Sequence, residues 1–123
     1  MTFVHKEIVR FRDLDAMGHV NNAVFATFLE QARIAFLSPQ GAEVANMILA
    51  RLEIDFRSPA EVGETIEISV TPTRVGRKSF ELSYELHAGG RLVAEAKTVL
   101  VAYDYEQAQA VDIPDEWKER LAA

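Results

Sequence analysis

Residues 10–22 read RFRDLDAMGHVNN and run directly into AVFATFLEQARIAFL at residues 23–37, and this stretch decides the fold. Apolar side chains in its second half recur every three or four residues, which predicts a helix from about Asn22 to Leu37. More apolar residues lie outside that stripe, so we expect the helix to be apolar around most of its circumference and deeply buried. These residues are Ala23, Ala26 and Ile34.

The polar half of the stretch brings chemically useful groups to the helix start. Asp13 and Asp15 are two apart, so an extended chain would project both carboxylates the same way, whereas a kink would leave only one facing inward. Gly18 allows a turn that side chains tolerate poorly, and one of the two asparagines that follow is expected to cap the helix. The free amides of a helix N-terminus suit an oxygen that gains negative charge.

Alternating apolar and polar residues predict strands around the helix. We predict a first strand at Ile8 to Phe11, and Ser38-Pro39-Gln40-Gly41 is predicted to end the helix. Four later strands are predicted at Leu52 to Phe56 (half-buried), Ile66 to Val70, Phe80 to Leu86 and Leu92 to Tyr103. Gly89-Gly90 favours a tight hairpin, and Pro114 opens a short helix through Leu121. One apolar helix must then cover a curved antiparallel sheet, which is an α+β arrangement.

Composition limits the classes of function. The 123 residues are 49% hydrophobic and 26% charged, which predicts one domain over residues 1–123. We found no membrane-spanning run and no signal-peptide segment, so we expect a cytoplasmic protein without membrane partners. A net charge of −6 argues against binding to nucleic acid. The chain has no cysteine and three scattered histidines, so we predict no metal site.

The run Asp13-Leu14-Asp15-Ala16-Met17-Gly18-His19-Val20-Asn21-Asn22, with Glu30, Ala32 and Arg33 further on, resembles the start of hotdog-fold acyl-CoA thioesterases of the 4-hydroxybenzoyl-CoA thioesterase type. The similarity continues through Phe56-Arg57-Ser58-Pro59 and Gly76 to the strand that ends at Tyr103. This resemblance implies the hotdog fold, in which a curved antiparallel sheet wraps one long central helix. It also implies hydrolysis of an acyl-CoA, with coenzyme A as part of the substrate and no separate cofactor.

The resemblance also assigns roles to residues. Asp15 would be the nucleophile or the general base, and the amide near Asn22 would bind the thioester oxygen. Gly18 would let the thioester approach the backbone. His19 would either contact the carbonyl or water, or make a structural hydrogen bond. Asp13 is expected to order the strand end or Arg12.

Other polar residues were assigned to the substrate or to the helix surface. Arg57 and Ser58 are candidate substrate-binding residues. A basic cluster at Arg74, Arg77 and Lys78 suits the phosphates of coenzyme A, although a solvated hairpin turn would also explain it. For Glu30 we favour a pair with Arg33 over a role in orienting water.

Two other functions stay open at this point. A hotdog hydratase or dehydratase is disfavoured because Asp15 and His19 are four residues apart and Met17-Gly18 stands where those enzymes carry Asn-Pro. A non-catalytic acyl-CoA binding module is the third possibility. Unpaired sheet edges, together with the resemblance, predict a homodimer or a dimer of dimers.

Overall fold

The computed structural model describes residues 2–38 and 46–122. Within these residues, six strands and two α-helices follow one another: β1 (Phe3–Ile8), α1 (Asn22–Leu37), β2 (Met47–Phe56), β3 (Thr65–Val75), β4 (Ser79–Ala88), β5 (Arg91–Asp104), β6 (Gln109–Ala110) and α2 (Asp115–Ala122). A single 3₁₀ turn, Phe11–Asp13, lies between β1 and α1. The bounds of α1 agree with the sequence prediction, and α2 begins one residue after Pro114, as expected.

The strands form one antiparallel sheet in the order β1-β3-β4-β5-β2, and β6 pairs with the end of β5. Strands β3 to β5 are the predicted meander, and the β4–β5 hairpin turns at Gly89 and Gly90, both with positive φ. Strand β2 lies beside β5 rather than β3. Residues 57–64 therefore cross one end of the sheet to reach β3, and this crossing segment helps to form the site.

The core lies between α1 and the face of the sheet that carries the predicted apolar residues. Alternate side chains of β3 and β4 are buried, as the sequence pattern predicted: Ile66, Ile68, Val70, Phe80, Leu82, Tyr84 and Leu86. The Tyr84 hydroxyl lies 2.7 Å from Thr98 Oγ1, so these two buried polar groups satisfy each other. Helix α2 closes one end of the core through Trp117, whose ring packs edge-on against Phe80.

Helix α1 is buried on one side only. Leu29 and Ala32 are fully buried, whereas Ala23 is exposed and Ala26 and Ile34 are half-buried. The prediction of a helix buried on most sides is therefore wrong for the single chain, because the sheet covers one face and α2 only a small part of another. Neither of the helices among the described residues is long and apolar enough to cross a bilayer.

Several details of the strands differ from the sequence prediction, and β2 and β3 are also longer than predicted. The first strand is Phe3–Ile8 and not Ile8 to Phe11, because its half-buried side includes the polar residues His5 and Glu7, which mask the alternation. Strand β6 was not predicted because two residues are too few to show an alternation of apolar and polar side chains. In β2 the prediction of a half-buried strand holds only for Ile54, since Leu52 and Phe56 stay exposed. The predicted helix stop at residues 38–41 is described only at Ser38, the C-cap; the rest lies outside the described residues.

Candidate active site

A cleft of about 300 Å³ opens at the end of the sheet where the β1–α1 connection meets the crossing segment. It brings together five residues that the sequence assigned to the site: Asp15, His19, Asn22, Arg57 and Ser58. Its remaining wall is largely apolar and is formed by Val20, Phe25, Phe56 and Pro59. A short polar edge thus faces an aromatic surface, as a substrate with one reactive polar group and an apolar body requires.

Asp15 is held by the backbone of its own turn. Its Oδ1 accepts hydrogen bonds from the amides of Met17 at 2.8 Å and His19 at 3.3 Å. Gly18, at φ +83°, closes this turn, and its amide donates to the Asp15 carbonyl. Within the described residues, Oδ2 of Asp15 accepts no hydrogen bond. Asp15 therefore presents a carboxylate that is held through one oxygen and can accept further hydrogen bonds through the other.

Gly18 acts through this turn rather than through the wall of the cleft. It does not line the cleft, and a Cβ built on it would meet no atom within 4 Å. The constraint at this position is therefore its positive φ and not the space around it.

The first turn of α1 leaves one amide for a ligand. Asn21 is the N-cap, and its side chain accepts a hydrogen bond from the Ala23 amide at 2.9 Å, which settles the choice between the two asparagines. The Val24 amide donates to the Asn21 carbonyl. Within the described residues, the Asn22 amide donates to no protein group. It points from the positive end of the helix and belongs to a residue that lines the cleft.

Asp13 has a different environment from Asp15. It is buried, and it accepts hydrogen bonds from the Arg10 amide at 2.8 Å and from the Arg10 side chain at 3.1 and 3.3 Å. Burial alone would raise the pKa of Asp13, but the hydrogen bonds from Arg10, with the charges of Arg10 and Arg12, outweigh it and hold that pKa below its usual value. Asp13 thus orders the strand end, as expected, and its hydrogen-bond partner is Arg10.

The side chains of His19 and Glu30 have different surroundings. The backbone of His19 pairs with Asp15, while its side chain lines the cleft and makes no hydrogen bond with any described residue. Glu30 is half-exposed on α1 and lies 3.8 Å from Arg33, which is the helical pair that the sequence favoured.

The crossing segment is tied to β5 by its own polar groups. The Ser58 hydroxyl donates to the Leu92 carbonyl at 2.8 Å, so this proton is already used. The Arg57 guanidinium pairs with Glu95 at 2.9 Å, which compensates much of its charge. Both residues line the cleft, but both hold the wall in place before any ligand binds.

A second clamp, which sequence reasoning missed, fixes the same segment. Arg91 makes two hydrogen bonds to the Glu64 carboxylate at 2.7 and 3.0 Å and a third to the Pro59 carbonyl at 3.0 Å. The hydrogen bonds from Arg91 and from the Glu61 amide lower the pKa of Glu64. Arg91 and Glu64 are 27 residues apart, so no local pattern could have revealed the pair.

The basic cluster lies elsewhere in the chain. Arg74, Arg77 and Lys78 surround the β3–β4 hairpin, where Ser79 pairs with Val101 of β5. The cleft lies near Val93, eight residues away along β5, which corresponds to about 27 Å of strand. Arg77 also pairs with Asp112 at 2.9 Å. Within one chain, then, the structure does not bring the cluster to the cleft.

In the sequence, the aromatic residues that line the cleft could be recognised only as core residues. Phe25 belongs to the apolar stripe of α1 and Phe56 to the alternation in β2. Their rings meet edge-on with centroids 5.4 Å apart. Periodicity cannot distinguish such a pair from ordinary packing. Within the described residues, no group of three or more potential metal ligands converges.

Comparisons with known proteins agree with this geometry. The family model of the thioesterase-like superfamily matches residues 9–121. The chain is 31% identical to the long-chain acyl-CoA thioesterase FadM of Escherichia coli K12, with 92% of each chain covered. It is 28% identical to a 1,4-dihydroxy-2-naphthoyl-CoA hydrolase of Nostoc punctiforme, over 94% of this chain and 84% of that protein.

Solved structures place the fold in the same family. A thioesterase of Thermus thermophilus, crystallised with coenzyme A and zinc, superposes with a TM-score of 0.85 at 34% identity, covering 98% of this chain and 97% of the other. The antiparallel sheet with two helices is consistent with the hotdog fold of such thioesterases. Since the family model spans nearly the whole chain and the site residues meet in one cleft, the chain belongs to the thioesterase-like superfamily.

Proposed function

We propose that the protein hydrolyses acyl-CoA thioesters in the cleft between Asp15 and the start of α1. The observation that carries this proposal is the position of a fixed carboxylate and the unpaired Asn22 amide along one aromatic cleft. The names of the relatives, which include two kinds of acyl-CoA hydrolase, support the reaction class. They differ in the acyl group, so they do not select one for this chain.

The chemistry follows from the two groups. The thioester oxygen lies at the Asn22 amide, where the helix N-terminus stabilises the charge that develops on it. Asp15 either attacks the carbonyl carbon or removes a proton from a water molecule that attacks it. When Asp15 attacks, the carbon–sulfur bond breaks to leave a mixed anhydride between the acyl group and Asp15, which water then hydrolyses. When water attacks, the carbon–sulfur bond breaks to give the acid directly. In both routes coenzyme A leaves as a thiolate that takes up a proton, and the acyl group ends as a carboxylate. His19, which lines the same cleft, would orient this water.

One assay separates this function from its two rivals. Purified protein is incubated with short, medium, long and aryl acyl-CoAs, and also with a 2-enoyl-CoA and a 3-hydroxyacyl-CoA, and free thiol and enoyl absorbance are followed together. Hydrolysis releases thiol. A hydratase or dehydratase changes enoyl absorbance without thiol, and a binding module does neither while still binding the ligand in calorimetry. Thiol release that depends on the protein supports the proposal, and either other pattern contradicts it.

We propose that the working form is a homodimer, or a dimer of dimers. Strands β1 and β2 are the edges of the described sheet, and β2 carries Leu49 and Leu52, whose exposed fractions are 40% and 37%. Both lie on the side of the sheet that α1 covers elsewhere, since Leu49 pairs with the buried Leu100 and Leu52 with the buried Thr98. An apolar edge of this kind favours pairing with another copy.

Light scattering at working concentration should therefore give at least twice the 13.8 kDa of one chain. Leu52→Lys should shift the mass toward the monomer, because burying an ammonium at the edge is costly. Val62→Lys, at an exposed apolar residue outside both edge strands, serves as a control that should leave the mass unchanged. A wild-type monomer with full activity would rule the dimer out.

We propose further that the cluster of Arg74, Arg77 and Lys78 contacts the phosphates of coenzyme A. Because the cluster and the cleft lie at opposite ends of one sheet, this contact requires the hairpin of a second copy. These contacts are exposed and are screened over about 8 Å at physiological salt.

Arg77→Ala should raise KM for acyl-CoA, with little change in kcat, and should weaken the rise of KM with salt. Lys97→Ala is the control, since Lys97 is also an exposed cation but lies on β5, an inner strand of the sheet. If Arg77→Ala and Lys97→Ala behave alike, the cluster is only a solvated turn.

The single domain over residues 1–123 and the cytoplasmic location stay predictions from the sequence.

A further inference from the structure

Phe56 forms part of the apolar wall of the cleft. It is the last residue of β2, and its ring packs edge-on against Phe25, with 5.4 Å between centroids and 70° between planes. Phe25 is 3% exposed and packs in turn against Phe28, whereas Phe56 is 47% exposed. The ring of Phe25 is therefore fixed by the core, whereas the ring of Phe56 lies at the surface and can be removed by substitution.

The distance from the reacting carbonyl to this wall is short. Phe25 follows Asn22 by three residues on α1, so both face the same side of the helix, about one turn or 5 Å apart along its axis. An acyl group whose carbonyl oxygen lies at the Asn22 amide therefore reaches the two rings after a few carbon atoms.

Beyond Phe56 the sheet offers more apolar surface. Phe56 and Ile54 alternate along β2 and pair with Ala94 and Ala96, both buried on the inner face of β5. These β2 side chains thus share one face. Removing the ring of Phe56 would connect the cleft with the surface at Ile54, in the direction that a longer acyl chain would take.

We propose that Phe56 is the residue that sets acyl length in this protein, and that it restricts the substrate to compact acyl groups, either short chains or a single ring. This inference rests on the proposed function. The relatives leave the question open, because their names include both a bicyclic aryl-CoA and long-chain acyl-CoA as substrates.

The test compares kcat/KM for butanoyl-CoA and dodecanoyl-CoA. The wild type should favour the short substrate, and Phe56→Ala should lower this preference by at least about tenfold, mainly through gain on the long chain. Phe56→Leu should lie between them. Phe11→Ala removes an equally apolar ring that is 83% exposed and does not line the cleft, so it should leave the preference unchanged.

A second readout keeps this inference separable from the hydrolysis itself. Binding of the corresponding S-butyl and S-dodecyl thioethers of coenzyme A, measured by calorimetry, should show the same change of preference in Phe56→Ala. If the wild type releases no thiol but the binding preference shifts, the proposed function fails and the role of Phe56 stands. An unchanged preference in both measurements, an equal loss on both substrates, or no binding of either thioether overturns the role of Phe56.

Discussion

Replacing Asp15 by asparagine is expected to lower kcat by on the order of a hundredfold or more while the fold stays intact. The carboxylate is lost as nucleophile or base, but the Asn oxygen can still accept the amides of Met17 and His19. The side chain is exposed and not part of the core. Steady-state thiol release, with circular dichroism and thermal melting on the same sample, measures both parts of the prediction.

The wild type and Asp15→Asn should melt within a few degrees of each other and bind coenzyme A alike, so that the loss is confined to turnover. Near wild-type kcat in the variant would remove Asp15 from the mechanism. An equal loss of kcat and of the melting transition would assign Asp15 to the turn and not to the reaction.

The same change at Asp13 should have the opposite consequence. Asp13→Asn removes a buried carboxylate that accepts three hydrogen bonds from Arg10, and we expect it to lower the free energy of unfolding by about 1–2 kcal/mol at neutral pH. The expected loss of stability is small because the Arg10 side chain is half-exposed and is hydrated again in the variant. The folded protein should retain most of its turnover. Urea unfolding measures the first quantity and thiol release the second.

The pH dependence of that loss has a definite sign. The pKa of Asp13 is lower in the folded protein than its ordinary value, so ionised Asp13 stabilises the fold above the unfolded pKa of about 3.9, and this contribution disappears as pH falls through the lower, folded pKa. The difference in stability between wild type and Asp13→Asn should therefore be largest at neutral pH and shrink in acid. A difference independent of pH would mean that the charge of Asp13 is not what stabilises this turn.

Asp13 and Asp15 illustrate what the sequence alone could and could not predict about the site. It placed both ahead of the helix and left open whether they face the same way. The 3₁₀ turn at Phe11–Asp13 decides this: it turns Asp13 inward to Arg10 and leaves Asp15 exposed at the cleft. The turn depends on hydrogen bonds between particular side chains and backbone groups, and no hydropathy pattern encodes it.

Helix α1 and strands β3 to β5 were predictable because apolar residues recur at regular spacing along the length of each. The partner of β2 was not predictable, since pairing with β5 depends on the crossing segment at residues 57–64. That crossing brings Phe56 to Phe25, 31 residues away, and the Arg91–Glu64 clamp fixes it. The helix and the turn of the site could thus be predicted from the sequence. The opposite wall of the cleft could be identified only from the three-dimensional structure.

The most direct measurement is a crystal structure of Asp15→Asn soaked with butanoyl-CoA, because this variant should bind the substrate without consuming it. The thioester oxygen should lie within hydrogen-bond distance of the Asn22 amide, the carbonyl carbon next to the side chain of residue 15, and the acyl group against Phe25 and Phe56. A thioester bound away from this cleft, with the Asn22 amide facing only solvent, would contradict it.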